Sequence, residues 1–144
     1  MILTFMKNLL SLVLLLSLVF SQSKVTIDNE EIDMNQNEAI VEVLGMVCSM
    51  CAFGIEEGFS KEEFVDKSKF SNGVLVDIDA KFVQLGLKKS SSVNPEAIYN
   101  VIQDAGYEVK KLYILKENQL TKYNVGKLNI LEKELQENTP ENIL

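Results

Sequence analysis

The chain has 144 residues, with 14 basic side chains against 21 acidic ones, a formal charge of -7 and no histidine; every basic residue is a lysine. That length fits one modest domain with appendages. The acidic balance disfavours nucleic-acid binding, which wants a basic face, and the lack of histidine removes imidazole ligands and Cys-His or Ser-His catalytic pairs.

The first stretch, MILTFMKNLLSLVLLLSLVFSQSK, places one charge at Lys7 ahead of an apolar run from Leu9 to Phe20 and then small or polar residues. This layout predicts a secretory signal peptide over residues 1–21, cleaved after Ser21, because the apolar run is short for a membrane span. The mature product would be exported, periplasmic or secreted, with no stable membrane insertion. Residues 22–37 are polar and acidic with little periodicity, and are expected to be a flexible lead-in.

From Glu38 the pattern changes. In EAIVEVLGM, Ile40, Glu42 and Leu44 alternate with Ala39, Val41 and Val43, which predicts a strand. The stretch GMVCSMC follows, with both of the chain's cysteines, Cys48 and Cys51. Next, CAFGIEEGFSK puts Ala52, Ile55 and Phe59 on one helical stripe, with Gly54 and Gly58 weakening it by about 1 kcal/mol each relative to alanine. Residues 62–72 read as a long connection. GVLVDIDAKFVQLGLK then gives two alternating runs, Val74, Val76, Ile78 and Val83, Leu85, Leu87, around a turn near Asp79 to Lys81, a hairpin signal.

The second helix is punctuated at both ends. Asn94 stands as N-cap, Pro95 in the first turn and Gly106 just past the last, with Ile98, Val101, Ile102 and Ala105 as its apolar stripe. The run YEVKKLYIL predicts a closing strand. Residues 38–114 are therefore expected to form an α+β domain with the ferredoxin-like βαββαβ arrangement, a four-stranded antiparallel sheet with two helices on one face. Residues 115–144 read as a polar C-terminal extension. Leu120, Tyr123, Leu128, Leu131 and Leu135 have roughly helical spacing there, so the expectation is a solvated extension or a docking helix.

Two thiols at a strand-to-helix junction admit three readings: a soft-metal clamp, a redox dithiol, or an inert buried pair. Thiolates prefer copper(I), zinc, cadmium or mercury(II) over hard ions, and a helix start stabilises adjacent thiolates. A four-ligand structural zinc site would need more cysteine or histidine than the chain has. A thioredoxin-like protein shares Cys-x-x-Cys but would want a tryptophan before the motif, a proline inside it and a cis-proline strand facing it; the chain has no tryptophan, and its prolines are Pro95 and Pro140. The glycine-rich, loop-borne setting disfavours the inert pair.

Gly45-Met46-Val47-Cys48-Ser49-Met50-Cys51 resembles the Gly-Met-x-Cys-x-x-Cys signature of the heavy-metal-associated domain family, which includes small copper chaperones, amino-terminal domains of copper-transporting ATPases and the periplasmic mercury-binding protein. Ile55-Glu56, Asn94-Pro95-Glu96 and Asp104-Ala105-Gly106-Tyr107 are similar to further family positions, so the resemblance spans residues 38–110. It departs in a link about eight residues longer after the first helix, in that helix's two glycines and in the extra tail. The resemblance implies a non-enzymatic role in which Cys48 and Cys51 bind one ion and pass it by ligand exchange to a metal-transporting or metal-accepting protein, such as a membrane ATPase or another thiol protein. Met46 would be a buried staple beneath the loop, and Tyr107 would stand behind the ligands. Zinc-selecting members carry an acid before the first cysteine, where this chain has Val47, so copper(I) comes first and mercury(II) or zinc after it. In an oxidising compartment the pair could rest as a disulfide when no metal is bound.

Overall fold

The computed structural model describes residues 1–3, 6, 23–125 and 131–134, and for Cys51, Val125 and residues 131–134 it describes the backbone only. The expected leader lies outside the described residues apart from residues 1–3 and 6, as does the tail beyond 134. Among the described residues, no helix is long and apolar enough to cross a membrane.

The elements run β1 (Ser23–Ile27), β2 (Glu30–Met34), β3 (Glu38–Leu44), α1 (Ser49–Ser60), β4 (Val74–Asp77), β5 (Phe82–Gly86), α2 (Pro95–Asp104), β6 (Glu108–Lys116), β7 (Gln119–Val125) and β8 (Leu131–Glu134). From β3 to β6 this is the βαββαβ order, and the sheet order β4-β5-β3-β6 is antiparallel throughout, as the ferredoxin-like arrangement requires. The register of β4 follows from the pairs Val74↔Leu85 and Val76↔Val83, which put the valines on the same face as Val83 and Leu85. Val41, Val43, Ile55, Phe59, Val83, Leu85, Ile98, Ile102 and Leu112 meet in the core between that face and the helices.

Three expectations need correction. The sheet is six-stranded rather than four-stranded, because β7 pairs with β6 and β8 with β7. The C-terminal extension thus begins as strand, neither helix nor solvated coil. Its apolar residues three apart were compatible with a helix, yet Leu120 packs on one face of the sheet and Tyr123 on the other, as strand alternation dictates. The supposed flexible lead-in is a β1–β2 hairpin, paired from Ser23↔Met34 to Ile27↔Glu30. Val25, Ile27, Ile32 and Met34 pack on Ile40, Phe82, Tyr113 and Leu115, so burying this apolar face opposite the helices offsets the entropy of ordering the segment.

The long link after α1 has a structural role. Val65 bridges to Leu87, Asp66 N–H donates to Gly86 O at 2.8 Å, and Lys88 N–H donates to Phe64 O at 2.9 Å, so residues 61–73 cover the edge of β5 that β4 leaves open. Lys69 Nζ donates to Gln36 O at 2.9 Å and Asn37 O at 3.2 Å, and it pairs with Glu38 Oε1 at 3.2 Å.

The two glycines of α1 differ physically. A methyl at Gly58 would stand 2.8 Å from Val101 Cγ1, whereas one at Gly54 would meet nothing within 4 Å. Gly58 lets α1 approach α2, so its low helix propensity is offset by packing. Gly54→Ala should therefore raise stability by about 0.5–1 kcal/mol. Gly58→Ala should lower it by about 1 kcal/mol, since overpacking of roughly 1–3 kcal/mol exceeds the propensity gain. Urea unfolding of the two variants checks this, and a stabilised Gly58→Ala chain would contradict the close approach.

Candidate metal site

The site begins where β3 ends. Gly45 has φ +86°, a conformation that favours glycine, and turns the chain off the sheet edge. Met46 drops back into the helix-side core at 1% exposure. With its side chain sunk among Val43, Ile55 and their neighbours, the loop is pinned one residue before Val47 and Cys48, which both project outward.

Cys48 is the N-cap residue of α1, with extended φ −151° and ψ 160° and no side-chain capping bond. Cys51 lies in the first turn of the same helix. No acidic residue occupies that turn, so the positive end of the helix dipole meets the cysteine-bearing segment without a competing carboxylate. The three-residue offset brings an N-cap residue and a first-turn residue to one end of a helix, where orphan N–H groups gather.

Tyr107 approaches from the other connection at this end. Gly106 N–H donates to Gln103 O at 2.9 Å and Tyr107 N–H to Ile102 O at 3.1 Å, a Schellman closure of α2 with Gly106 at φ +91°. The closure delivers the half-buried Tyr107 ring to Gly45, its Cδ1 lying 3.9 Å from where a Cβ on Gly45 would be. Asn94 closes the far end of α2 through Oδ1, which accepts from Glu96 N–H at 3.0 Å.

Thus the backbone brings Cys48 and Cys51 to one helix end, puts Met46 beneath the loop and sets Tyr107 beside Gly45. Among the described residues, no three or more His, Cys, Asp or Glu side chains group where they could hold an ion. Thiols as a class are soft donors that suit thiophilic ions. Beyond Val47, already noted at the position before the first cysteine, large apolar side chains are exposed along this segment: Val47 is 82% exposed, Met50 76% and Phe53 62%, and Phe53 is the one that the residue pattern did not mark. Its spacing of three residues from Met50, as Met50 is from Val47, is the signal that could have found it.

No family model matches the chain, and no curated protein matches it. Among solved structures it is similar to the CopZ metallochaperone, at 24% identity and a TM-score of 0.42 over 50% of this chain and 97% of that one. It is similar also to the yeast copper transporter domain Ccc2a, solved in apo and Cu(I)-loaded states, at 23% identity and a TM-score of 0.42 over 54% of this chain and 93% of that one. A third is a candidate copper-ion-binding protein from Bacillus anthracis str. Ames, at 22% identity and a TM-score of 0.40 over 62% of this chain and 96% of that one.

Cys48→Ser separates a binding thiol from a structural one. The residue is exposed and already has N-cap geometry, and serine is among the preferred N-cap residues. The reduced, metal-free variant should be as stable as the parent or up to about 1 kcal/mol more so. Thermal unfolding of both proteins checks this; a marked fall in Tm for the variant would make the thiol part of the fold.

Proposed function

We propose that this chain binds one copper(I) ion through Cys48 and Cys51 and hands it to a partner protein by ligand exchange. The observation that carries the reading is the placement of Cys48, an exposed N-cap thiol one turn from the second cysteine, on a loop anchored by buried Met46. Two thiolates hold a soft ion while leaving it open to a third. A partner thiolate then adds to form a three-sulfur intermediate and one bond to the chain's own cysteines breaks; a second partner thiolate adds in the same way and the remaining bond breaks, so the ion is never free in solution. The exposed Cys48 is the sulfur at which this exchange starts. Mercury(II) fits the same donors, and zinc less well, since it favours four ligands.

The surroundings support a hand-over surface rather than a catalytic pocket. Val47, Met50 and Phe53 form an exposed apolar stripe running from the loop along α1, and such a patch on a soluble face marks contact with another protein. The helices carry Glu56, Glu57, Glu96 and Asp104 and no lysine, so the approaching face of the partner should bear lysine or arginine. In this reading the exchange takes place outside the cytoplasm, in a periplasm or beyond the cell, which is supported by the signal-peptide layout of residues 1–21.

Titration of the reduced chain with copper(I) against a competing chelator should give one ion per chain, with binding lost in both Cys48→Ser and Cys51→Ser. Passage to a thiol acceptor, followed by stopped flow, should speed up with acceptor concentration and slow as salt rises, because charges beyond about 8–10 Å are screened at physiological ionic strength. A rate indifferent to both would mean release into solution. Insulin reduction without metal binding would support a dithiol oxidoreductase instead.

A further inference from the structure

The end of the sheet that carries Cys48 holds a second cluster, on the face away from the helices. Glu42, three residues before Gly45, is only 3% exposed. Its carboxylate meets Lys110 Nζ at 2.5 Å and Lys111 Nζ at 3.9 Å, and Lys110 also reaches Asp28 Oδ1 in the β1–β2 turn at 3.7 Å. The Glu42 carboxylate, with a smaller contribution from Asp28, holds the Lys110 ammonium above the usual lysine range.

Consecutive residues of a regular strand point to opposite faces, so two adjacent lysines should not share one carboxylate. They do so because the ladder slips: Glu42 faces Lys111 while Val43 faces Val109, leaving Lys110 as the extra residue of a bulge. The same slip sends Val109 into the helix-side core together with Leu112, three positions on, which alternation alone would forbid. Bulges re-aim side chains and recur beside functional sites.

This bulge adjoins the Cys48 loop from both sides. Val43 N–H donates to Lys81 O at 2.9 Å, tying in the β4–β5 turn. Leu44 pairs with Glu108, and Tyr107, one residue earlier, lies against Gly45. The end of β3 and the start of β6 are thus put in step at Glu42 and Val43.

We infer that Glu42, held by Lys110 and Lys111, is a positioning residue for the Cys48 loop: it stabilises the bulge, and the bulge seats Tyr107 against Gly45. Glu42 does not touch the ion; it acts through the backbone of two strand ends. This rests on the reading of Cys48 and Cys51 as the metal clamp, but its consequences for the loop exist without metal.

The test uses Glu42→Gln in the reduced full chain, with Lys110→Met and Lys111→Met beside it. Copper(I) affinity per folded chain should fall measurably in Glu42→Gln, by less than the roughly 10-fold or more that removing a group bonded directly to a ligand costs. The two lysine variants should show smaller losses. Without metal, the Gly45 and Tyr107 amide resonances should move in all three variants. The rate at which iodoacetamide alkylates Cys48, measured in a Cys51→Ser background, should change with them. Altered Tm alone, with affinity, resonances and alkylation as in the parent, would overturn the inference by leaving Glu42 a merely structural role. If Glu42→Gln does not fold, the two lysine variants decide by the same criteria. Should the parent bind no copper(I), the metal reading fails, while the metal-free measurements still decide whether Glu42 positions the loop.

Discussion

The architecture depends on the double burial of β3. Every residue from Glu38 to Val43 is buried, so this strand needs an apolar cover on both faces and a hydrogen-bonding neighbour on both edges. The helices cover one face and the β1–β2 hairpin the other, while β5 and β6 take the edges. Two carboxylates share that burial, and a buried charge must be paired or bonded to be tolerated. Glu38 receives Asn35 N–H at 2.8 Å, Gln84 Nε2 at 2.9 Å and Lys69 Nζ at 3.2 Å. Glu42 receives Lys110 and Lys111. The long link after α1 and the bulge in β6 are therefore consequences of one strand: the first brings in Lys69 and the second aims two lysines at one point.

Much of this was legible in the residues, and what was missed has physical causes. Alternation in EAIVEVL and the capping signals around Asn94 and Gly106 stand out because each is local. The β1–β2 and β6–β7 hairpins escaped because their turns use Asp28-Asn29 and Glu117-Asn118 at positive φ, where the stronger signal would be Asn-Gly or Asp-Gly. Each is a two-residue loop, as the pairs Ile27↔Glu30 and Lys116↔Gln119 require. The bulge escaped for another reason. Lys110-Lys111 resembles an ordinary solvated pair, and only the buried Glu42 across the ladder shows why both lysines turn the same way. In the same manner Gly58 looked like a weak point in α1 until Val101 was seen to fill the space beside it.

For the candidate site, the motif identified the two thiols and the fold supplies the reason they can act. A loop that must exchange an ion needs an exposed sulfur and a fixed backbone at once. The two demands are met by separate residues: Cys48 projects outward at the helix start, while Met46 beneath it and Tyr107 beside Gly45 anchor the turn. In the proposed exchange, the exposed Val47, Met50 and Phe53 would add a surface on which a second protein can rest. Under that proposal, apolar contact would complement the acidic helices, whose charge steers encounter without fixing its geometry.

The central claim is that two sulfurs of this chain form the whole coordination shell of the ion. X-ray absorption at the copper edge, on chain loaded with one equivalent of copper(I) under reducing conditions, tests it most directly. The account predicts a low-coordinate shell of two sulfur scatterers, with no nitrogen or oxygen donors and no nearby second copper. A shell containing nitrogen or oxygen, or one that is unchanged in Cys48→Ser, would contradict it.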